Sequence, residues 1–541
     1  MKLKYFDLID QTFEWPQQEF SLDDDGQLSF HGIPMMDLVE KYGTPLRLTY
    51  LPKIGENIRL AHGWFRNAME KLGYTGAYHY CYVTKSSHFR HVTEEVLKHG
   101  AHIETSSPFD LDIVSALHRS GHMDRSATVI CNGFKTSAYI DRIVRMRTEG
   151  FTGILPVLDN EQEFAKLNHV VRETMDVGLR IASEEEPKFE FYTSRLGIGY
   201  KRIIPFYRER IEHHPFMKLR MLHFFVNTGI RDTAYYWNEL NKALKVYCDL
   251  RKVCPTLTAL NIGGGLPIKN SLAFSYEYEY MVEAILEQIK SACEENKVPM
   301  PDIYTEFGSF TVGESGATLF KVLYQKPQND REAWNIIDSS FMTTLPDTWA
   351  INRRFLMLPI NRWDAAYERV FLGGLTCDSD DYYNSEQHLN AIYLPKFKAN
   401  DDLYIGFFNT GAYQDNIGGH GGVHHCLIPG LQHVLIDRDA DDALTYEVFA
   451  EEQTAGQMLS LLGYNMQGVN PDGTLSPEVA QAPVPAVATK SRRKVAAAAP
   501  VATAVPTDES GAAARPEVAF AEHGSKAVKP RKTPSGTSSR Q

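Results

Sequence analysis

The chain has 541 residues, of which 43% are hydrophobic and 23% charged, as is usual for a globular protein of several domains. Its formal net charge of -12 argues against nucleic acid as the main partner, because phosphate binding requires a positive face. No run approaches the roughly 18 to 20 apolar residues of a membrane span, so we expect no membrane protein. The seven scattered cysteines and an N-terminus without a secretory apolar run together predict a cytoplasmic protein.

Short β-like runs alternate with amphipathic segments between residues 76 and 306. The runs lie at 77–83, 102–106, 127–132, 153–159, 177–183, 221–226, 259–264 and 302–306. Helical spacing is found between them, at 88–99, 110–118, 137–147, 160–175, 235–253 and 275–295. Eight such alternations predict an α/β fold with a (β/α)8 barrel, whose active site lies at the C-terminal ends of the strands. A doubly wound open sheet is the alternative.

The composition of the chain suggests four segments. We assign the barrel to 46–325 and a C-terminal all-β domain to 326–470, and we expect 1–45 to contribute strands to that β domain. The last segment, 471–541, is rich in Ala, Pro and Lys and is expected to be disordered, because it cannot bury enough apolar surface. From Ser476 onward its net charge is +5, which leaves -17 for the rest of the chain.

A basic cluster in this last segment has two interpretations. Lys490, Arg492, Arg493 and Lys494 form either a docking patch or a solvated block of charge.

Three features at the ends of predicted strands could carry chemistry. Lys85 directly follows the first strand, where apolar surroundings would lower its pKa and free the amine for a Schiff base. Gly263, Gly264 and Gly265 follow the seventh strand, where backbone N–H groups of a glycine turn can bind phosphate. Glu306 ends the eighth strand, where its carboxylate could face a cofactor ring. Each feature also has a plainer interpretation: Lys85 as a surface lysine, which is the commoner case, the glycines as a flexible turn, and Glu306 as a helix-capping or surface acid.

The β domain holds further candidates. Cys377 and Asp378 lie in LTCDSDD, where the thiol is either a proton donor or a buried structural cysteine. Asp347 in LPDTW and Tyr413 in GAYQD are weaker signals. The GGHGGVHHC stretch places His420, His424, His425 and Cys426 close together, but no CxxC or HExxH spacing supports a metal site there.

Taken together and in order, these motifs resemble one family. YGTPL, a lysine after the first barrel strand, the GGG turn, a strand-end Glu, CDSD and GAY are similar in order to the fold type III pyridoxal-phosphate decarboxylases. More narrowly, ICNGFK, DSSFMTTLPDTWAIN, LTCDSDD and GAYQD resemble the biosynthetic arginine decarboxylases over residues 40–450. The implied fold is an alanine racemase-like barrel with a C-terminal β domain.

The resemblance implies a role for each matching residue. Lys85 would bind pyridoxal 5'-phosphate as a Schiff base, Glu306 would pair with the pyridine nitrogen, and Cys377 would protonate the α-carbon after CO2 leaves. The phosphate and ring would be contacted by Gly263, Gly264, Gly265, Gly308, Tyr413, Thr228, His223 and Phe225. The cationic end of the substrate would be bound by Asp347, Asp378 and Asp380. Because Cys377 and Asp378 reach the site from the partner subunit in this family, a homodimer or higher oligomer with shared active sites is implied.

Three positions differ from the family pattern. Phe225 stands where a His usually stacks on the cofactor ring, and we expect His223 to lie on the opposite strand face. Ser309 replaces an Arg that contacts phosphate, and Ser87 replaces an Asn two residues after Lys85.

The resemblance therefore predicts a lyase that decarboxylates a basic amino acid, with L-arginine to agmatine in polyamine and spermidine biosynthesis as the leading reaction. Ornithine, lysine and diaminopimelate are alternative substrates, and Mg²⁺ stays open as a second cofactor. A non-catalytic homologue that regulates an active decarboxylase would lack the lysine or the thiol, and both are present here. An amino-acid racemase would give no reason for CDSD.

Overall fold

Eight parallel strands close into a barrel in the middle of the chain. The computed structural model describes residues 17–184, 194–330, 332–383, 392–398 and 401–464. Each barrel strand pairs in parallel with the next, and the first closes on the eighth, with Tyr80 opposite Thr305. The barrel strands are Tyr78–Val83, His102–Thr105, Val129–Cys131, Ile154–Leu158, Met175–Arg180, Met217–His223, Ala259–Asn261 and Asp302–Phe307. The predicted barrel is confirmed, and the open sheet is excluded.

The sixth barrel strand begins four residues before its predicted start. Met217–His223 alternates buried apolar residues with Lys218 and Arg220, which point out of the barrel wall. Because these two cations interrupt the apolar run, the sequence pattern predicts only the second half of the strand.

Helices follow the strands at the predicted places, and polar caps fix where several of them begin. Ser107 and Asp110 form a reciprocal capping box, while Thr136, Asn160 and Thr233 each accept a hydrogen bond from a backbone N–H three residues on. The α-helices are Met35–Tyr42, Pro52–Leu72, Arg90–Lys98, Pro108–Arg119, Ser137–Thr148, Glu161–Val170, Tyr200–Phe206, Ala234–Val253, Tyr278–Asn296, Ser309–Val312, Phe341–Thr344, Pro346–Ala350, Gln414–Gly418 and Ala455–Leu461. Short 3-10 turns lie at Thr84–Ser86, Gly313–Ser315 and His425–Leu427, and a π-helical turn at Tyr207–Ile211.

A second, mixed sheet of ten strands forms the β domain. Its strands are Leu46–Tyr50, Gly316–Pro327, Ala333–Ile337, Leu356–Pro359, Tyr367–Gly373, Tyr382–Tyr383, Ile392–Pro395, Leu403–Phe408, Gln432–Arg438 and Leu444–Ala450. Leu46–Tyr50, which the sequence analysis assigned to the barrel segment, instead pairs with Gly316–Pro327 and with Gln432–Arg438. After the barrel, the chain returns to this sheet at Gly316, ten residues before the expected boundary at 326.

The N-terminal strands form a small sheet of their own. Phe20–Leu22, Leu28–Phe30 and Ile33–Pro34 pair antiparallel. The rings of Phe20 and Phe30 lie 4.8 and 4.9 Å from the ring of Phe408 in the ten-stranded sheet. This segment thus joins the β domain by packing on its core rather than by extending its hydrogen-bonded ladder.

The expected disordered segment from 471 onward lies outside the described residues. Within the residues that are described, no helix combines the length and the apolar character needed to cross a bilayer.

Candidate active site

A cavity of about 330 Å³ opens at the C-terminal ends of the barrel strands. Much of its polar lining comes from residues that end or follow the barrel strands, namely Lys85, Glu104, Asn132, Arg180, His223, Glu306 and Ser309, and a loop of the β domain adds Tyr413. Parallel strands direct these ends to one side of the barrel, so side chains far apart in sequence converge. Lys85 and Glu306, both predicted for this place, are brought together here.

Glu306 is the best-anchored acid in the cavity. Its Oε1 accepts hydrogen bonds from Asn132 Nδ2 at 2.8 Å and Asn261 Nδ2 at 2.6 Å, and its Oε2 lies 3.2 Å from His223 Nε2. Burial alone would raise the pKa of this carboxyl, but His223 and the two amides outweigh burial and lower it. Glu306 therefore stays ionised, and a carboxylate has room for one more donor.

Lys85 lies in the 3-10 turn Thr84–Ser86 directly after the first strand, with its side chain exposed to the cavity. The nearby carboxylate of Glu104 raises the pKa of Lys85 more than burial lowers it. The expected lowering of this pKa is therefore wrong, because a charged neighbour replaces the apolar surroundings that we assumed. Burial in turn raises the pKa of Glu104 to about 7, against the opposing effect of Lys85.

The glycine turn after the seventh strand is shaped by close backbone contacts. A Cβ on Gly264 would overlap the carbonyl oxygen of Glu306, and one on Gly265 would lie 2.6 Å from the Cα of Gly229. Gly265 also has a φ of +105°, which disfavours other residues. A Cβ on Gly308 would lie 3.1 Å from the Cβ and Oγ of Ser86, a tight but longer contact. These glycines leave a cradle that side chains would fill.

One polar group beside this cradle has no hydrogen bond in the described part of the chain. It is the buried Thr228 Oγ1, next to Gly229, which contacts Gly265. Unpaired buried polar atoms are costly, and they are common where a ligand supplies the missing contact.

His223 and Phe225 both line the cavity. The expectation that they lie on opposite strand faces is wrong, because residues two apart in extended chain share a face. The Phe225 ring lies 5.8 Å from the Arg180 guanidinium carbon. Phe225 therefore contributes a flat aromatic side chain to the cavity wall, and the hydrogen-bonding group stands two residues earlier at His223.

A loop of the β domain closes over the lysine turn. Tyr413, with a φ of +70°, donates its backbone N–H to Ser86 O at 2.7 Å. Asn416 Nδ2 donates to Lys85 O at 3.1 Å. These contacts place the Tyr413 side chain in the cavity and fix the backbone that carries the lysine.

Asp347 is buried on the short helix Pro346–Ala350. Its Oδ2 accepts from Arg353 Nη1 and from Gln414 Nε2, both at 2.9 Å. Gln414 follows Tyr413 directly, so Asp347 is tied to the loop over the lysine although it does not line the cavity.

Cys377, Asp378 and Asp380 lie away from the cavity of their own chain, on an exposed loop. Cys377 Sγ is 3.4 Å from Cys426 Sγ, and Asp378 Oδ2 is 3.3 Å from His425 Nε2. The buried Asp381 holds this loop by accepting bonds from neighbouring backbone and hydroxyl groups: Thr376 Oγ1 at 2.6 Å, Phe341 N at 2.8 Å and Ser340 Oγ at 3.0 Å.

The His-rich stretch does not converge on one point. His420 and His424 line a separate cavity in the β domain, while His425 and Cys426 contact the Cys377 loop. The four residues considered as metal candidates are thus divided between two places.

Sequence reasoning missed several residues of the site. Glu104, Asn132 and Arg180 line the cavity, Asn261 orients Glu306, and Asn416 holds the lysine turn. The first four lie at or just after the ends of barrel strands, which is the signal that could have identified them.

Known proteins share this fold, and part of the sequence matches a known family. Residues 58–313 match the family model of the pyridoxal-dependent decarboxylases, pyridoxal binding domain. The match covers the barrel strands, so the barrel is similar to the pyridoxal-binding domain of these decarboxylases.

Individual relatives place the chain more narrowly. It is 22% identical to the biosynthetic arginine decarboxylase of Prochlorococcus marinus over 538 residues, which cover 75% of this chain and 82% of that one. The crystal structure of the biosynthetic arginine decarboxylase from Campylobacter jejuni superposes with a TM-score of 0.71 at 19% identity, over 85% of this chain and 90% of that one. Diaminopimelate decarboxylase from M. jannaschii, in co-complex with L-lysine, gives 0.68 at 17% identity, over 82% and 97%. These likenesses support the two-domain fold predicted from the sequence.

The cavity fits pyridoxal phosphate. It presents a primary amine, an ionised carboxylate with an acceptor site to spare, a flat aromatic side chain and a glycine cradle beside the unpaired Thr228 hydroxyl. These are the groups that the aldehyde, the ring nitrogen, the ring face and the phosphate of this cofactor require.

Proposed function

We propose that the protein decarboxylates L-arginine to agmatine and CO2. The observation that carries the proposal is the assembly of Lys85, Glu306 and the glycine cradle at one barrel mouth, in a chain whose curated relatives include biosynthetic arginine decarboxylases. A regulator that has lost catalysis would have no reason to keep a lysine and an oriented carboxylate in one cavity. Ornithine, lysine and diaminopimelate are the competing substrates.

Each residue has a stated part in the reaction. Lys85 would hold the cofactor through its amine, and Glu306 would accept a hydrogen bond from the protonated pyridine nitrogen. The phosphate would be held by Gly263, Gly264, Gly265, Gly308, Thr228 and Tyr413, and the ring by His223 and Phe225. When bound, pyridoxal phosphate supplies an electron-withdrawing ring that takes up the electron pair left by CO2. The Cys377 thiol then delivers a proton to the substrate α-carbon.

The substrate's cationic end is assigned to three carboxylates. Asp347, Asp378 and Asp380 suit a guanidinium group, because a carboxylate pairs with its planar donors in a fork geometry. Arg353 and Gln414 both bind the Oδ2 of Asp347, so its Oδ1 is the oxygen that we assign to the substrate.

A homodimer completes the site in this proposal. Cys377 and Asp378 lie outside the cavity of their own chain. We assign them to the active site of a second copy, which makes each active site a joint product of two subunits. We place the enzyme in the cytoplasm and in polyamine synthesis, as the source of agmatine.

A product assay tests the substrate. Purified protein with pyridoxal phosphate is incubated separately with arginine, ornithine, lysine and diaminopimelate, and the amine is identified by mass spectrometry. Agmatine from arginine alone is the expected result. Release of another amine would move the assignment to that substrate, and release of none would refute decarboxylation of these four amino acids.

A further inference from the structure

Two cysteines stand apart from the other five. Cys81, Cys131, Cys248, Cys254 and Cys293 are buried, whereas Cys377 and Cys426 are exposed. These two sulfur atoms are 3.4 Å apart, although 49 residues separate them in the chain. All seven cysteines lie in the described part of the chain, and the two with exposed thiols are neighbours.

A second contact fixes how the two segments face each other. Asp378 Oδ2 lies 3.3 Å from His425 Nε2, directly beside the pair of sulfur atoms. Consecutive residues of one segment thus oppose consecutive residues of the other, 377 with 426 and 378 with 425. Because Asp381 anchors the Cys377 loop through Thr376, this pairing is held from inside the domain.

The geometry allows a bond between the two sulfur atoms. A disulfide requires them to approach to about 2.05 Å, a movement of about 1.4 Å. Cys377 lies in a loop between strands, and Cys426 lies in the one-turn 3-10 helix His425–Leu427 with a φ of +58°. Neither cysteine belongs to a sheet whose hydrogen bonds would have to break.

We propose that Cys377 and Cys426 form an oxidant-sensitive dithiol site that closes reversibly to a disulfide and so removes the Cys377 proton from the reaction. The inactivation rests on the role proposed for Cys377 above; the formation of the disulfide does not.

The chemistry balances with a peroxide as the oxidant. One sulfur, as the thiolate, attacks the peroxide oxygen, the O–O bond breaks, and a sulfenic acid and water form. The second sulfur, as its thiolate, attacks the sulfenic sulfur and releases a second water. Two thiols and one hydrogen peroxide thereby give one disulfide and two water molecules, and a dithiol reductant reverses the change.

The pairing also favours the reduced form as a proton donor. Hydrogen bonding and charge from Cys426 raise the pKa of Cys377. The Cys377 thiol thus keeps its proton available for the substrate α-carbon.

The test follows the two thiols directly. The holoenzyme is treated with hydrogen peroxide, free thiols are alkylated, and unreduced peptides are mapped by mass spectrometry while agmatine release is measured on the same samples. We expect a cross-linked peptide joining 377 to 426, loss of activity in proportion to the cross-link, and recovery of both with dithiothreitol. The five buried cysteines should stay alkylation-resistant until the protein is unfolded, and then react as free thiols.

Two variants sharpen the result. Cys426→Ser should yield no cross-link, and its Cys377 should be trapped as a sulfenic acid by dimedone, because the resolving thiol is gone. Cys248→Ser, which removes a buried thiol, should cross-link as the native enzyme does.

Each contrary outcome has its own meaning. If Cys377 and Cys426 never cross-link, the dithiol site is refuted whatever the enzyme's activity. If they do and activity persists, inactivation is refuted and so is the role of Cys377 as proton donor. An enzyme that is inactive toward arginine even when fully reduced contradicts the proposed function, while the peptide map still tests the dithiol site.

Discussion

Replacing Glu306 by Gln tests the core of the cofactor site with little change in shape. Glu306 Oε1 accepts from two amides and its Oε2 faces His223. A Gln oxygen at the Oε1 position keeps both amide bonds, but as neutral bonds weaker by roughly 1 kcal/mol each. Its NH2 group then points toward His223 and the cofactor nitrogen, where a negative charge is needed.

The expected loss is therefore larger in catalysis than in stability. Removing an oriented electrostatic partner from an active site costs about 10²–10³ in kcat, equivalent to roughly 2.7–4 kcal/mol. Stability should fall by only about 1–2 kcal/mol, because the two weakened bonds are partly offset by no longer burying a charge.

The measurements are kcat for arginine and the free energy of unfolding in urea. Glu239→Gln is the matched control: Glu239 is a buried acid that binds Tyr200 and Lys242 outside the cavity. It should lose stability without a comparable loss of kcat. An unchanged kcat in Glu306→Gln, with the cofactor bound, would refute the assignment of Glu306 to the pyridine nitrogen.

Four further outcomes are expected. Lys85→Ala should lose the visible absorption band that pyridoxal phosphate shows when linked to a lysine, and a retained band would contradict the assignment. Glu104→Gln should lower the pH midpoint for loading the cofactor onto the apoprotein, because Glu104 raises the pKa of Lys85; an unchanged or higher midpoint would count against this. Gly264→Ala should lower the free energy of unfolding by about 1–3 kcal/mol and weaken cofactor binding, because its Cβ overlaps Glu306 O. Gly63→Ala, at a helix position with open space around it, should raise the free energy of unfolding by about 0.5–1 kcal/mol. Both values are measured by urea denaturation. Burial lowers the pKa of three histidines, His31, His91 and His102, to about 4, so the unfolded chain binds protons before the folded chain as the pH falls. The free energy of unfolding should therefore decrease by up to ~1.4 kcal/mol per pH unit per histidine as the pH falls from about 6.5 to about 4. This pH dependence should be shallower in His91→Gln, and an equal slope would refute the contribution of His91.

The barrel could be predicted because its signals are local. Each strand is a short apolar run, and polar caps such as Ser107 and Asn160 mark where helices begin. Lys85 and Glu306 could be identified for the same reason, since the end of a predicted strand can be located from the sequence alone.

Three residues at the same kind of position, at or just after the end of a barrel strand, were nevertheless missed: Glu104, Asn132 and Asn261. They lie within short β-like runs, where a polar residue is easily taken as part of the strand. Their roles depend on convergence: Asn132 and Asn261 matter because both reach Glu306, which is 174 and 45 residues away in the chain.

The strand pairing of the ten-stranded sheet and the contact between Cys377 and Cys426 could not be predicted from the sequence for a different reason. Leu46–Tyr50 pairs with segments more than 260 residues later, and no local pattern records such a pairing. Cys426 was grouped with its sequence neighbours His420 and His424, whereas its structural neighbour is Cys377.

The strand Leu46–Tyr50 has a consequence for how the protein is made. It is synthesised before any barrel strand, yet its two partners are Gly316–Pro327 and Gln432–Arg438. At roughly 5–20 residues per second, about 265 residues and some 13–53 s separate its emergence from that of its first partner. The barrel strands are synthesised within that interval. Throughout it the apolar strand with Leu46 and Leu48 has neither of its two partner strands, so it can aggregate or bind a chaperone.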